Sequence, residues 1–223
     1  MIPQIRGRFI LVFFLCFNFI FRIFPQTEPL NAIQYYQIGR DLENQNRMSE
    51  ANSYYNLAIR ICNNEISRNT ADNDTYTALC WSLQRQKKYD EVIIWGERAL
   101  RLFPDEYRIL EVMGEADFYL DNYESSLRFM QRYTNSRPRG ERAPTAYFFI
   151  GEIYRLEGKY RLADMAYTTA VRLEPSVALW WYRLGLVREN SGDTAPARDA
   201  YEQALKLNQN YREAAEGLAR TNR

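Results

Sequence analysis

One spacing constrains this chain more than any other feature. Gly151 and Gly185 lie 34 residues apart, and the same interval separates Ala163 from Ala197, Tyr167 from Tyr201, Ala170 from Ala204 and Leu173 from Leu207. A fixed interval of that size means that one supersecondary unit is stacked on itself. A unit of this length cannot bury its apolar face alone, so function is to be sought on the surface of an array rather than in a globular pocket.

The register can be followed backwards along the chain. If Ala178 is position 1 of the last unit, Trp181, Leu184 and Gly185 take positions 4, 7 and 8, and Ala197, Tyr201 and Ala204 take 20, 24 and 27. The preceding units begin at Pro144, Tyr107, Asn73 and Ala32, giving expected boundaries of 32–65, 73–106, 107–140, 144–177 and 178–211. Residues 212–223 repeat the opening pattern once more and then stop, as a capping helix does. The intervals between starts are 41, 34, 37 and 34, so insertions fall at about 66–72 and 141–143.

Small residues at positions 8, 20 and 27 allow two helices to approach, and large ones at 4, 7 and 24 fill the space between them. Polar turns such as Gly158-Lys159-Tyr160 separate the two periodic stretches of each unit, and a late Pro (Pro104, Pro138, Pro175) marks the corner to the next. This pattern resembles the tetratricopeptide repeat over 32–220. The resemblance implies an all-α fold, an α-α superhelix of about five helix-turn-helix repeats with a C-terminal capping helix. Three departures stand out. Position 27 is Tyr133 in the third unit, which together with the insertion before Pro144 predicts a kink between units three and four. Position 24 is Gly96 in the second, with Trp95 as the candidate to fill the missing volume. Unit one has Asn63 and unit five Gln209 where Pro would sit.

The first thirty residues obey a different rule. Arg6 and Arg8 precede an apolar run from Phe9 to Phe17, and Arg22 follows after Phe19–Phe21. A basic start and a run of this length predict a cleaved export signal, with an uncleaved N-terminal membrane anchor as the alternative. Cys16 is preceded by Phe14 and Leu15, where a lipoprotein signal wants small residues. The expected location is the bacterial periplasm, free or membrane-anchored.

Charge excludes one class of partner. The chain has 29 Lys and Arg against 28 Asp and Glu, and without Arg6, Arg8 and Arg22 the balance is 26 to 28. The charges are interspersed, whereas a nucleic-acid binder concentrates a basic face. There is no histidine, which removes the usual Ser-His and Cys-His bases and most zinc sites. No phosphate-binding loop and no metal-spaced Cys pair is present, so no cofactor or metal is expected. Cys62 and Cys80 are a possible disulfide pair in an oxidising compartment. Glu111, Glu115 and Glu152 are the only candidates for carboxylate chemistry on envelope glycan, and exposed charged helix faces explain them more simply.

In the resembled family the first helices of successive units line a concave groove through positions 2, 5, 9, 12 and 13. Carried onto this chain, that row gives Tyr36, Arg40, Trp81, Glu111, Glu115, Phe118, Phe148, Glu152, Arg155 and Tyr182 as the candidate binding residues. No Lys occupies the positions with which one subclass grips a C-terminal carboxylate. The row is aromatic with an acidic middle, and large exposed aromatics anchor a partner segment. The expectation is therefore a non-enzymatic interaction scaffold holding a peptide or helix of another protein, with a membrane-anchored spacer in an outer-membrane or pilus assembly complex as the contrasting reading.

Overall fold

A computed structural model describes residues 30–221, and all regular structure among them is helical. Eleven helices follow in order: α1 Ala32–Asn44, α2 Met48–Ser67, α3 Asn73–Arg85, α4 Tyr89–Leu102, α5 Tyr107–Tyr119, α6 Tyr123–Ser136, α7 Ala143–Leu156, α8 Tyr160–Leu173, α9 Ala178–Asn190, α10 Thr194–Leu207 and α11 Arg212–Thr221. The expected export signal or anchor, Cys16 included, lies outside the described residues. Among the described residues no helix is long and apolar enough to cross a membrane.

Local chemistry sets the helix ends. Asn31 caps α1 and Asp72 caps α3 through reciprocal side-chain bonds with Gln34 and Thr75, and Pro144 sits in the first turn of α7, where its missing N–H costs nothing. Each odd-numbered helix then closes into its partner through a left-handed residue: Asn46, Lys87, Asp121, Gly158 and Gly192, with φ from 58° to 83°. Where Pro follows the second helix, at Pro104, Pro138 and Pro175, that helix is 14 residues long. With Asn63 in place of Pro, α2 runs on to 20 residues, so the first insertion is largely extra helix rather than loop.

The core is built from one small-on-large contact used repeatedly. The rings of Tyr55, Tyr167 and Tyr201 are fully buried against Gly39, Gly151 and Gly185, where an added Cβ would lie 2.6–2.7 Å from ring carbons. Each phenol hydroxyl donates to a glutamate on the facing helix, Tyr55 to Glu43 (2.6 Å), Tyr167 to Glu152 and Tyr201 to Glu189 (2.5 Å), which satisfies the polar end of a buried ring. In the third repeat Met130 takes the tyrosine's place over Gly114. In the second, the space over Gly96 is filled by Met113 of the next repeat, not by Trp95.

The first helices lie side by side, α1 on α3, α3 on α5 and α5 on α7. The approach between α5 and α7 is kept, and α7 and α9 are the pair that stand further apart. Phe148 of α7 stacks on Trp180 of α9 there, at 5.3 Å and 18° between planes. Tyr133 is accommodated by repacking: it is buried against Tyr107, and its hydroxyl accepts the backbone N–H of Arg142 at 3.2 Å.

Candidate interaction groove

The row of first helices forms a cleft of about 280 Å³ at the N-terminal half of the array. Helix α1 contributes Tyr36, Gln37 and Arg40, α3 contributes Trp81, Gln84 and Arg85, and α5 contributes Glu111 and Glu115. Glu141 and Arg142, in and beside the second insertion, close the far side. Five of the sequence-derived candidates, Tyr36, Arg40, Trp81, Glu111 and Glu115, therefore meet in one place.

Their burial differs from the expected exposed row. Tyr36 and Glu111 are buried, at 8% and 3% exposure, because position 5 points between neighbouring first helices rather than out of the groove. The Tyr36 ring lies 5.1 Å from that of Trp81, tilted by 32°; Trp81 stays half-buried, and the two rings form the apolar wall of the cleft. Arg40 is exposed, with its nearest carboxylate, Asp41, 4.0 Å away.

The electrostatic centre is a guanidinium between two carboxylates. Arg142 donates from Nε to Glu111 at 2.9 Å and from Nη2 to Glu115 at 3.2 Å, and its Nη2 also lies 2.8 Å from the Glu111 carboxylate. Burial pushes the Glu111 carboxyl up to about 7; Arg142 opposes that rise and Glu115 adds to it. A buried carboxylate is tolerable only with such a partner. Burial also works against the charge on Arg142, and the two glutamates outweigh it, raising its pKa. At the opposite wall Arg85 lies 3.5 Å from Glu43. The α1–α3 side is thus rich in donors (Gln37, Arg40, Gln84), and the α5–insertion side is acidic.

The other five candidates do not line this cleft. Phe118 packs in an aromatic cluster with Tyr119, Tyr123 and Phe149. Phe148 lies between Trp180 and Tyr167 as part of the joint between repeats. Glu152, expected on an exposed face, is 6% exposed and gathers Tyr167, Arg155 (2.8 Å) and Arg183 (3.0 Å). Tyr182 rests against Tyr211 and Tyr201 at 5.2 and 6.1 Å. Glu152 and Arg155 thus serve a structural charge cluster, and Phe148 is a wedge.

Sequence reasoning missed Arg142 and Arg183, and a second periodicity marks them. Glu111–Arg142, Glu152–Arg183 and Glu189–Arg220 are all pairs 31 residues apart, one repeat less about one helical turn. Cys62 and Cys80 are both buried free thiols.

Models of the tetratricopeptide repeat match residues 144–177 and 178–216. No curated protein matches the chain. Among solved structures, a crystal structure of MamA superposes with a TM-score of 0.63 at 18% identity, covering 77% of this chain and 95% of the other. MamA 41-end from Desulfovibrio magneticus RS-1 gives 0.60 at 17%, covering 81% and 97%. YrrB, described as a tetratricopeptide-repeat protein with an unusual peptide-binding site, gives 0.57 at 18%, covering 83% and 91%. These similarities establish the superhelical repeat fold.

Proposed function

We propose that this chain is a protein-interaction scaffold that holds an extended or helical segment of a partner in its concave face, anchored in the cleft between α1, α3 and α5. The observation that carries this reading is the cleft itself. Three successive first helices converge on one hollow with an aromatic wall, amide and guanidinium donors on one side and carboxylates on the other. Such a mixture suits a peptide, whose backbone needs donors and acceptors and whose side chains need an apolar anchor. That the YrrB fold carries a peptide-binding site supports a segment of this kind as occupant.

The basic start and apolar run of the first residues support an exported chain, working in the bacterial envelope as a periplasmic or membrane-anchored scaffold. N-terminal sequencing of the natively expressed protein tests this: a start beyond the apolar run supports a cleaved signal, and an intact N-terminus supports an anchor. The groove is tested by crosslinking from intact cells followed by mass spectrometry, comparing the parent chain with Trp81→Ala and Tyr182→Ala. Capture should fall at least tenfold for Trp81→Ala, the magnitude of a modest hot spot of ~1.4 kcal/mol. Capture unchanged in both variants would remove the groove from the account.

A further inference from the structure

Two hollows share the same walls. The 280 Å³ cleft and a second of about 220 Å³ are both bounded by Trp81, Glu111, Glu141 and Arg142. The second runs behind Arg142 to Tyr107, Tyr133 and Gly140. What divides them is the segment 137–142, which leaves α6 and includes part of the insertion that breaks the 34-residue register.

Beyond its backbone bonds to the ends of α6 and α7, this divider is fastened by few side-chain ties, most of them through one residue. The Arg142 guanidinium holds Glu111 and Glu115, and its backbone N–H donates to the Tyr133 hydroxyl. At the other end the Arg137 guanidinium lies 4.3 Å from the centroid of the Tyr107 ring. Although its tip reaches a buried carboxylate, the Arg142 side chain is 47% exposed and open to exchange from the groove side.

Glu111 decides what can replace it. A carboxylate this buried is strongly unfavourable without a counter-charge, so an occupant that lifts Arg142 away while Glu111 stays ionised must bring a cation of its own. Glu115 and Glu141 add charge of the same sign. The neighbouring rings already receive guanidinium groups, Trp81 from Arg108 at 6.0 Å and Tyr107 from Arg137. A guanidinium matches two carboxylates through its planar fork better than an ammonium does.

We propose that segment 137–142 is a displaceable strap and that Arg142 stands in for an arginine of the partner, which on docking takes over Glu111 and Glu115 and joins the two hollows into one. This rests on the groove reading above and adds to it the chemistry of the anchoring side chain. An acidic segment is refused, because it sets like charge against Glu111 and Glu115, and a wholly apolar one is admitted only at the cost of protonating Glu111.

Ethylguanidinium at millimolar concentration serves as the probe on the purified full chain. It should raise the Tm of Arg142→Ala by about 2–4 °C relative to Arg142→Ala/Glu111→Gln, and leave the parent unmoved. Equal shifts in all three proteins, or none in Arg142→Ala, overturn the proposal. Should Arg142→Ala fail to fold, hydrogen exchange of the parent decides: backbone amides of 137–142 should exchange faster with an alternating Arg-Ala peptide and not with its Glu-Ala counterpart, and equal exchange with both overturns it. Failure here together with partner capture lost on Trp81→Ala removes the strap and keeps the groove. A positive probe response with capture indifferent to Trp81 and Tyr182 keeps the arginine site and removes the groove as the route of capture.

Discussion

Replacing Gly151 by alanine tests whether the buried tyrosine contacts select glycine in the first helices. Intrinsic propensity favours the change, since alanine is better than glycine inside a helix by about 1 kcal/mol. Packing opposes it: the new Cβ would lie 2.6 Å from both Cδ1 and Cε1 of Tyr167. The ring cannot yield easily, because it is fully buried, its hydroxyl is held by Glu152 and Phe148 lies 5.8 Å away. Overpacking of a rigid core typically costs about 1–3 kcal/mol, and a contact this short on an aromatic ring belongs in the upper part of that range. The net expectation is a loss of about 1–2 kcal/mol after the helical gain. Gly114→Ala is the internal control, since its Cβ meets the flexible Met130 side chain at 3.0 Å, where a rotamer change suffices. That variant should be neutral or gain up to about 1 kcal/mol. Urea unfolding followed by circular dichroism reads both, with the slope checked because repeat arrays can depart from two-state behaviour. If the two substitutions shift stability alike, the tyrosine contact is not what demands glycine at Gly151.

Three further outcomes follow from the same geometry. Because burial pushes the Glu111 carboxyl up to about 7, the folded chain holds that proton more tightly than the unfolded one, so this group raises stability as pH falls from about 7 towards the ordinary carboxylate value of 4.5; Glu111→Gln should flatten the slope of urea midpoint against pH, and a slope unchanged by the substitution contradicts the assignment. Glu189, held low by Arg220, has the opposite sign and loses its contribution below the ordinary carboxylate range. Burial pushes the Cys62 thiol up to about 12 and raises Cys80 as well, so iodoacetamide at mildly alkaline pH should leave both unlabelled until urea unfolds the chain, and rapid alkylation of native Cys62 would contradict their burial. Lys87 occupies a left-handed turn position, φ 58°, that Gly158 and Gly192 fill in later repeats, so Lys87→Gly should stabilise by about 0.5–1 kcal/mol in a thermal melt, and destabilisation would show that its side chain makes contacts that outweigh the backbone relief.

The framework was legible because stacking dictates it. A glycine followed sixteen residues later by a tyrosine, at Gly39/Tyr55, Gly151/Tyr167 and Gly185/Tyr201, is a packing contact written directly into sequence. The groove was legible in position but not in depth. The register brought Tyr36, Arg40, Trp81, Glu111 and Glu115 together correctly, yet it has no means of saying that position 5 is buried between helices. A buried glutamate depends on a cation supplied one repeat later, and for Glu111 that cation stands in the insertion that the register treats as an interruption. Phe148 was not placed for a related reason: its stacking partner Trp180 belongs to the next repeat, a contact the register does not show.

The contact between Gly96 and Met113 bears on how such a chain could be shortened or lengthened. In the first, fourth and fifth repeats the small and large partners belong to the same unit, whereas here the knob comes from the following one, and Tyr201 is likewise shared with Gly217 of α11. Excising 73–106 would strand Met113 without its socket, and excising 107–140 would leave an empty socket at Gly96. Repeats two and three are therefore packed as one piece, and α10 and α11 as another. A duplication or deletion covering 144–177 keeps each glycine socket with its own knob, though a deletion there parts Trp180 from Phe148 and Arg183 from Glu152; one that cuts between repeats two and three needs a compensating change at Gly96 or Met113 before the shortened array can close.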